Sequence, residues 1–66
     1  MLPLTITITP TYLVFKNLTD ELQQQITEKF GFEFIFIKDK PHLTGKPEEL
    51  FKMLYLLSTY YDLEII

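Results

Sequence analysis

The sequence predicts a two-layer α/β (α+β) fold in the order ββαβαβ, with a four-stranded mixed sheet covered on one face by two helices. Threonine alternates with leucine or isoleucine over residues 4–9, and this period of two indicates a strand. Apolar residues recur every four positions from Leu18 to Phe30 and again after Pro47, which indicates two amphipathic helices. Sixty-six residues suit a single domain, 1–66.

The first two predicted strands, 4–9 and 12–16, form an antiparallel hairpin around Pro10. Pairing Ile6 with Phe15 makes one face of this hairpin wholly apolar, as expected of a half-buried sheet. A four-residue loop is favoured, because proline does not suit the primed turns of the tightest hairpins. The same pairing sends the other residues to the opposite face: Thr5, Thr7, Thr9, Tyr12 and Val14.

The next segment predicts a helix followed by a strand. Thr19 is a suitable N-cap, acidic residues fill the first turn, and Gly31 suits the position after the last turn. Residues 32–37, "FEFIFI", are aromatic or β-branched except for Glu33. They predict a mostly buried strand.

The second half of the chain predicts a loop, a helix and a short closing strand. Proline, glycine and charged residues in "KDKPHLTGK" indicate a loop over 38–46. Pro47 suits the first position of a helix running over 47–61, and "LEII" at 63–66 suits a strand. With a helix between successive strands, we expect the second, third and fourth strands to be mutually parallel.

Composition excludes several classes of function. The chain has no cysteine, one histidine and no arginine, and its net charge is −3. Disulfides and thiolate zinc sites are therefore excluded, and no cofactor, metal site or catalytic residue is predicted. The missing arginine and the acidic balance argue against sequence-specific DNA reading. No apolar run approaches about 18 residues, so we expect a cytoplasmic protein without a membrane partner.

The second predicted helix has more apolar surface than a small sheet can cover. One stripe, with Leu50, Leu54 and Leu57, suits the core, and Phe51 lies in a further stripe. The surplus has two readings: aromatic residues half exposed between sheet and first helix, or a protein-binding or dimer surface. The predicted interface residues are Met53, Leu56, Tyr60, Tyr55, Tyr12 and Val14.

The predicted loop over 38–46 is the second candidate site. It carries Lys38, Lys40, Lys46 and His42 and leads into a helix N-terminus, where anions often bind. The alternatives are a solvated loop and a weak phosphate or nucleic-acid contact. "HLTGKP" lacks the glycine spacing of a Walker loop.

Two stretches carry a resemblance to a known family. "LTITITPTYLVFKNLTDELQQQITEKFGFEF" resembles the start of the small N-terminal domain of UvsW-like phage helicases, and "LTGKPEELFKMLYLLSTYYDLEII" is similar to its closing helix and strand. The family's Trp-Asp-Gly segment is missing, and the 66 residues hold no helicase motor. The family domain assists nucleic-acid engagement through basic residues, a role that the resemblance extends only to Lys38, Lys40 and Lys46.

These observations predict a small non-enzymatic protein-interaction module. It would bind another protein or itself through helix 47–61 and the uncovered sheet face, as a regulator or inhibitor of phage or mobile-element type. The alternative is a nucleic-acid-binding accessory module that uses the lysine loop 38–46.

Overall fold

The computed structural model describes residues 3–66 and has α+β architecture, with two helices and a five-stranded mixed sheet. The elements are β1 (Leu4–Ile8), β2 (Tyr12–Lys16), α1 (Asp20–Phe30), β3 (Ile35–Ile37), β4 (Lys40–Thr44), α2 (Pro47–Ser58) and β5 (Leu63–Ile65). The strand order is β3-β4-β2-β1-β5. Neighbouring strands are antiparallel except β1 and β5, which are parallel.

The predicted register of the first hairpin is confirmed. Ile6 lies opposite Phe15, and the pairing ends at Ile8, one step before Thr9. The Thr9 N–H donates to the Tyr12 carbonyl at 2.9 Å, and the Thr9 hydroxyl accepts from the Tyr12 N–H at 2.9 Å. A threonine side chain thus satisfies backbone groups at the turn that Pro10 occupies.

Both helices pack on the same face of the sheet, as the sequence predicts. Directly opposed residues of neighbouring strands point to one side, and the buried apolar strand residues all belong to the side that includes Ile6 and Phe15. They form one cluster with residues of α1 and α2. The buried members are Leu4, Ile6, Leu13, Phe15, Ile26, Leu43, Leu50 and Leu57.

The predicted ends of α1 are confirmed. The Thr19 hydroxyl accepts from the Leu22 N–H at 3.2 Å. Gly31 has φ 76°, and its N–H donates to the Thr27 carbonyl at 2.9 Å. This left-handed conformation is the one that glycine adopts at low cost.

Helix α2 begins at Pro47 as predicted but ends at Ser58 rather than at residue 61. The Ser58 hydroxyl donates to the Tyr55 carbonyl at 2.6 Å. The next hydroxyl, that of Thr59, donates to the Leu56 carbonyl, also at 2.6 Å. These side chains compete for the carbonyls that a further turn of helix would use.

The predicted loop over 38–46 is wrong, because residues 40–44 form strand β4. Lys38 and Asp39 have φ 52° and 64°, the two positive values of a type I′ two-residue turn. Pro41 lies beyond Val14–His42, the last pair between β2 and β4, so its missing N–H falls at the end of that ladder.

The extra strand also changes the predicted third strand and the strand directions. The predicted buried strand over 32–37 shrinks to Ile35–Ile37, and all its residues are exposed. It lies at the edge of the sheet, paired with β4 alone. The closing strand β5 is parallel to β1 and therefore opposite in direction to β2, so the prediction of three mutually parallel strands is also wrong.

In the part of the chain that the structure describes, neither helix has the length and apolar character needed to cross a membrane.

Candidate protein-interaction surface

Helix α2 presents three differently placed sets of apolar side chains. Leu50 and Leu57 are buried against the sheet, and Leu54 is half-buried beside them. Because a helix turns about 100° per residue, the residues between these positions point sideways or outward. The packing on each side decides which of them is free to meet a partner.

The side of α2 facing α1 is partly occupied by the protein itself. Met53 and Leu56 are half-buried, and they line a cavity together with Phe30 and Phe32 at the end of α1. Met53 also packs against the core cluster. These two predicted interface residues therefore lie on the side of α2 that faces the end of α1.

Tyr60 is exposed but has contacts within the chain. Its ring meets Phe30 edge-on, with centroids 5.5 Å apart, and the Lys29 ammonium lies 4.3 Å from its centroid. A cation over a tyrosine ring is attracted by the ring's negative face. Tyr60 thus covers the C-terminal end of α1 rather than projecting freely.

The opposite side of α2 carries the most exposed aromatic residues of the helix. Phe51 is 66% exposed and Tyr55 is 68% exposed. They are four positions apart, so they are neighbours on one side of the helix. Tyr55 is a predicted interface residue, whereas the sequence pattern places Phe51 only in a further apolar stripe. The four-residue spacing of Phe51 and Tyr55 is the sequence signal that adds Phe51 to this surface.

An apolar groove of about 190 Å³ lies beside Phe51. The hairpin tip contributes Ile8, Thr9 and Pro10 to its lining, and α2 contributes Pro47, Leu50, Phe51 and Leu54. Ile8 is itself exposed although it lies on the covered face of the sheet. The groove, Phe51 and Tyr55 are called the α2 outer surface below.

The open face of the sheet is apolar in one half and hydroxyl-bearing in the other. Val14, His42 and Ile35 are opposed across three adjacent strands, with Thr7 on the far side of Val14. Tyr12 meets the His42 ring edge-on at a centroid distance of 5.5 Å. The predicted residues Tyr12 and Val14 are half-buried, so the outer face of the hairpin is partly dry.

His42 is only 8% exposed, although no helix covers its face of the sheet. Its Nδ1 lies 2.8 Å from the Lys40 carbonyl, which can only accept a hydrogen bond, so Nδ1 carries the proton. The neighbouring strands therefore enclose His42 as part of the sheet.

The four predicted anion contacts do not gather in one loop. Lys38 lies in the turn before β4, Lys40 and His42 lie within β4, and Lys46 precedes α2 at the far end of that strand. Lys40 and Lys16 instead lie on the open face, at the same end of the adjacent strands β4 and β2.

The arrangement of titratable groups offers little chemistry. Among residues 3–66, no group of three or more His, Asp and Glu side chains is close enough to hold a metal ion. Within the same residues, every buried side-chain nitrogen and oxygen has a hydrogen-bond partner. Apolar surface is therefore the most distinctive feature that this structure offers a ligand.

No protein-family model, curated protein or solved structure matches this chain. The resemblance to the UvsW-like domain stays a prediction from the sequence.

Proposed function

We propose that the protein is a small non-enzymatic interaction module that binds another protein through the α2 outer surface. The observation that carries this proposal is the exposure of Phe51 and Tyr55, two adjacent aromatic side chains on one side of α2. Aromatic residues are enriched in the buried centres of protein interfaces and dominate their binding energy.

The groove supports a specific kind of contact. Its lining is mainly apolar and its volume of about 190 Å³ is small, so a single apolar side chain of the partner would serve as the anchor. Glu48 lies three positions before Phe51 and seven before Tyr55 on the same side of α2, and it is exposed. The partner segment is therefore one with an apolar anchor and an adjacent basic residue.

The open sheet face extends the proposed interaction surface. Tyr12 and Val14 lie there with the exposed Ile35 and Ile37. Covering this apolar half would stabilise a complex by about 25 cal/mol for each Å² of apolar area removed from water. The biological role that we propose is that of a regulator or inhibitor, and the sequence resemblance predicts a phage or mobile-element origin.

The test compares two double variants, each of which adds two acids to exposed positions of one helix. Phe51→Asp with Tyr55→Asp changes the α2 outer surface, and Gln25→Asp with Thr27→Asp changes two exposed positions of α1. Tagged wild-type and variant proteins capture partners from the native host, and mass spectrometry measures recovery of each.

We expect a partner that wild type and the α1 variant both capture. Recovery of this partner should fall at least tenfold with the α2 variant. Equal retention by all three proteins overturns it. Met53→Asp is unsuitable for this test, because Met53 packs against the core and its loss would change stability as well as binding.

A second candidate function rests on the open face. Lys16 and Lys40 lie there at the same end of the adjacent strands β2 and β4, with Tyr12 and His42 on the same face. Sheets that bind single-stranded nucleic acid combine such cations with aromatic stacking. Titration with single-stranded DNA and RNA at two salt concentrations tests it. Binding that weakens with salt and is lost on Lys40→Glu but not Lys52→Glu supports it; no binding at low salt excludes it.

A further inference from the structure

Strand β3 is an unprotected sheet edge. All three of its residues are apolar and exposed, Phe36 by 59%. Natural proteins usually blunt an exposed edge by keeping it very short or with a charge, a proline or a bulge, because its unpaired N–H and C=O groups can pair with another chain. Strand β3 is short, but no charge, proline or bulge occurs within Ile35–Ile37.

The backbone of Phe36 is the part of this edge that is free to pair. Ile37 and Lys40 flank the two-residue turn and so exchange their backbone hydrogen bonds. Alternation along an antiparallel ladder makes Ile35–His42 the next hydrogen-bonded pair. The N–H and C=O of Phe36 therefore point away from β4, toward the open edge.

We infer that β3 pairs antiparallel with β3 of a second copy of this chain, around a two-fold axis that passes between the two Phe36 residues. Each Phe36 then donates its N–H to the C=O of the other, so both outward groups on each copy are satisfied at once. The inference goes beyond the proposed function and does not involve α2.

The side chains fit this symmetric pairing. Phe36 of each copy meets its counterpart on the helix-covered face, and Ile35 of one copy lies opposite Ile37 of the other on the open face. Aromatic and β-branched cross-strand pairs each contribute about 0.2–1 kcal/mol. Glu33 of each copy comes near the turn of the other. That turn carries two cations, Lys38 and Lys40, and one acid, Asp39, so its net charge is opposite to that of Glu33.

The other edge of the sheet is a poorer partner. Strand β5 has Glu64 at its centre, and pairing places that residue on the open face beside Thr5. A β3–β5 contact would put this carboxylate against Ile35 or Ile37, at a cost in desolvation. Pairing of β3 with itself also closes after two copies, whereas β3–β5 contacts would form an open chain.

The dimer should be weak, because β3 contributes only three residues from each copy. Beside the strand, Phe36 lines a shallow cavity together with polar residues of α1. Interfaces below about 1,200 Å² are typically weak and transient. We therefore expect the dimer to populate between about 0.1 and 1 mM.

Single-cysteine variants test the register directly, since the chain has no cysteine of its own. The Cα atoms of a hydrogen-bonded pair lie about 5.5 Å apart, within disulfide range, so Phe36→Cys should crosslink to itself. Ile35→Cys alone should not, because its counterpart is displaced by two residues, about 7 Å along the strand. A mixture of Ile35→Cys and Ile37→Cys should crosslink.

Self-crosslinking of Phe36→Cys no faster than that of Gln25→Cys, an exposed α1 control, would overturn the inference. So would equal crosslinking at all three β3 positions, which indicates collision without a register. Gln25 is exposed on α1 and lies outside the proposed contact.

Sedimentation of the protein without cysteine supplies the second measurement. Wild type should approach twice the monomer mass at about 1 mM, and Phe36→Lys should stay monomeric because lysine protects an edge strand. Gln25→Lys is the matched control and should dimerise. A monomeric wild type overturns the inference. If Phe51→Asp/Tyr55→Asp abolishes the dimer and Phe36→Lys does not, the dimer forms through the α2 outer surface and the inference is also overturned.

Discussion

The two helices have similar lengths and lie in the same layer, yet their solvent-facing sides differ. Helix α1 buries Ile26 and exposes glutamine, threonine and charged residues. Helix α2 buries Leu50 and Leu57 and still exposes Phe51 and Tyr55. Helix α1 therefore acts as an internal control for α2.

The difference shows that the small size of the domain does not force aromatic residues into water. A domain of this length buries only about 60% of the surface of its unfolded chain, but α1 meets that limit with polar side chains. The aromatic exterior of α2 is thus a property of that helix, and it is the basis of the proposed contact with another molecule.

The largest expected effect separates the buried and exposed sides of α2. Leu57→Ala should lower the free energy of unfolding by about 2–5 kcal/mol, because it leaves a cavity in the core. Phe51→Ala should change it by about 0.5 kcal/mol or less, as at other surface positions. Urea denaturation measures both. Comparable losses in the two variants would mean that Phe51 belongs to the core.

The ends of α1 should contribute a smaller amount. Thr19→Ala removes the hydroxyl that caps the Leu22 N–H and should cost about 1 kcal/mol. Gly31→Ala should cost a similar amount, about 1 kcal/mol, because φ is 76° there and a side chain in that conformation is strained. No atom lies within 4 Å of the added Cβ, so an unchanged stability would contradict the backbone-strain explanation.

The N-terminus of α2 lacks the cap that α1 has, and it should be open to improvement. Lys46 occupies the cap position and has no side-chain acceptor, although its N–H donates to Glu49 Oε1 at 2.9 Å. Lys46→Ser should raise the free energy of unfolding by about 0.5–1 kcal/mol. Thermal denaturation measures the gain, and Lys52→Ser is the matched control that should show none.

The best-predicted parts of the fold follow from local chemistry. The start and end of α1 follow from Thr19 and Gly31, and the register of β1 with β2 follows from placing Ile6 and Phe15 on one apolar face. Each depends on residues close together in the chain. Local preference and tertiary packing agree at these positions, which is why the sequence suffices.

The missed strand shows where local patterns fail. A type I′ turn usually has Asn-Gly or Asp-Gly, but here Lys38 and Asp39 adopt it. Pro41 signals a loop, yet it lies within β4, just past the last pair of that strand with β2. The strand is therefore defined by pairing with β2, a contact between distant residues that sequence patterns do not reveal.

The candidate site was predictable in type but not in detail. The surplus of apolar residues on α2 is visible in the sequence, and so is the alternation that places Tyr12 and Val14 on the outer face. Which side of α2 faces α1 depends on how the two helices pack. That packing places Met53 and Leu56 within the domain and leaves Phe51 and Tyr55 exposed.

The most direct test of the central claim combines stability and binding in one pair of variants. Phe51→Asp/Tyr55→Asp and its α1 counterpart Gln25→Asp/Thr27→Asp should both unfold within about 0.5 kcal/mol of wild type. Only the α2 variant should lose a captured partner. A partner retained by the α2 variant, or an α2 variant as unstable as Leu57→Ala, would contradict an interaction role for the exposed aromatic side of α2.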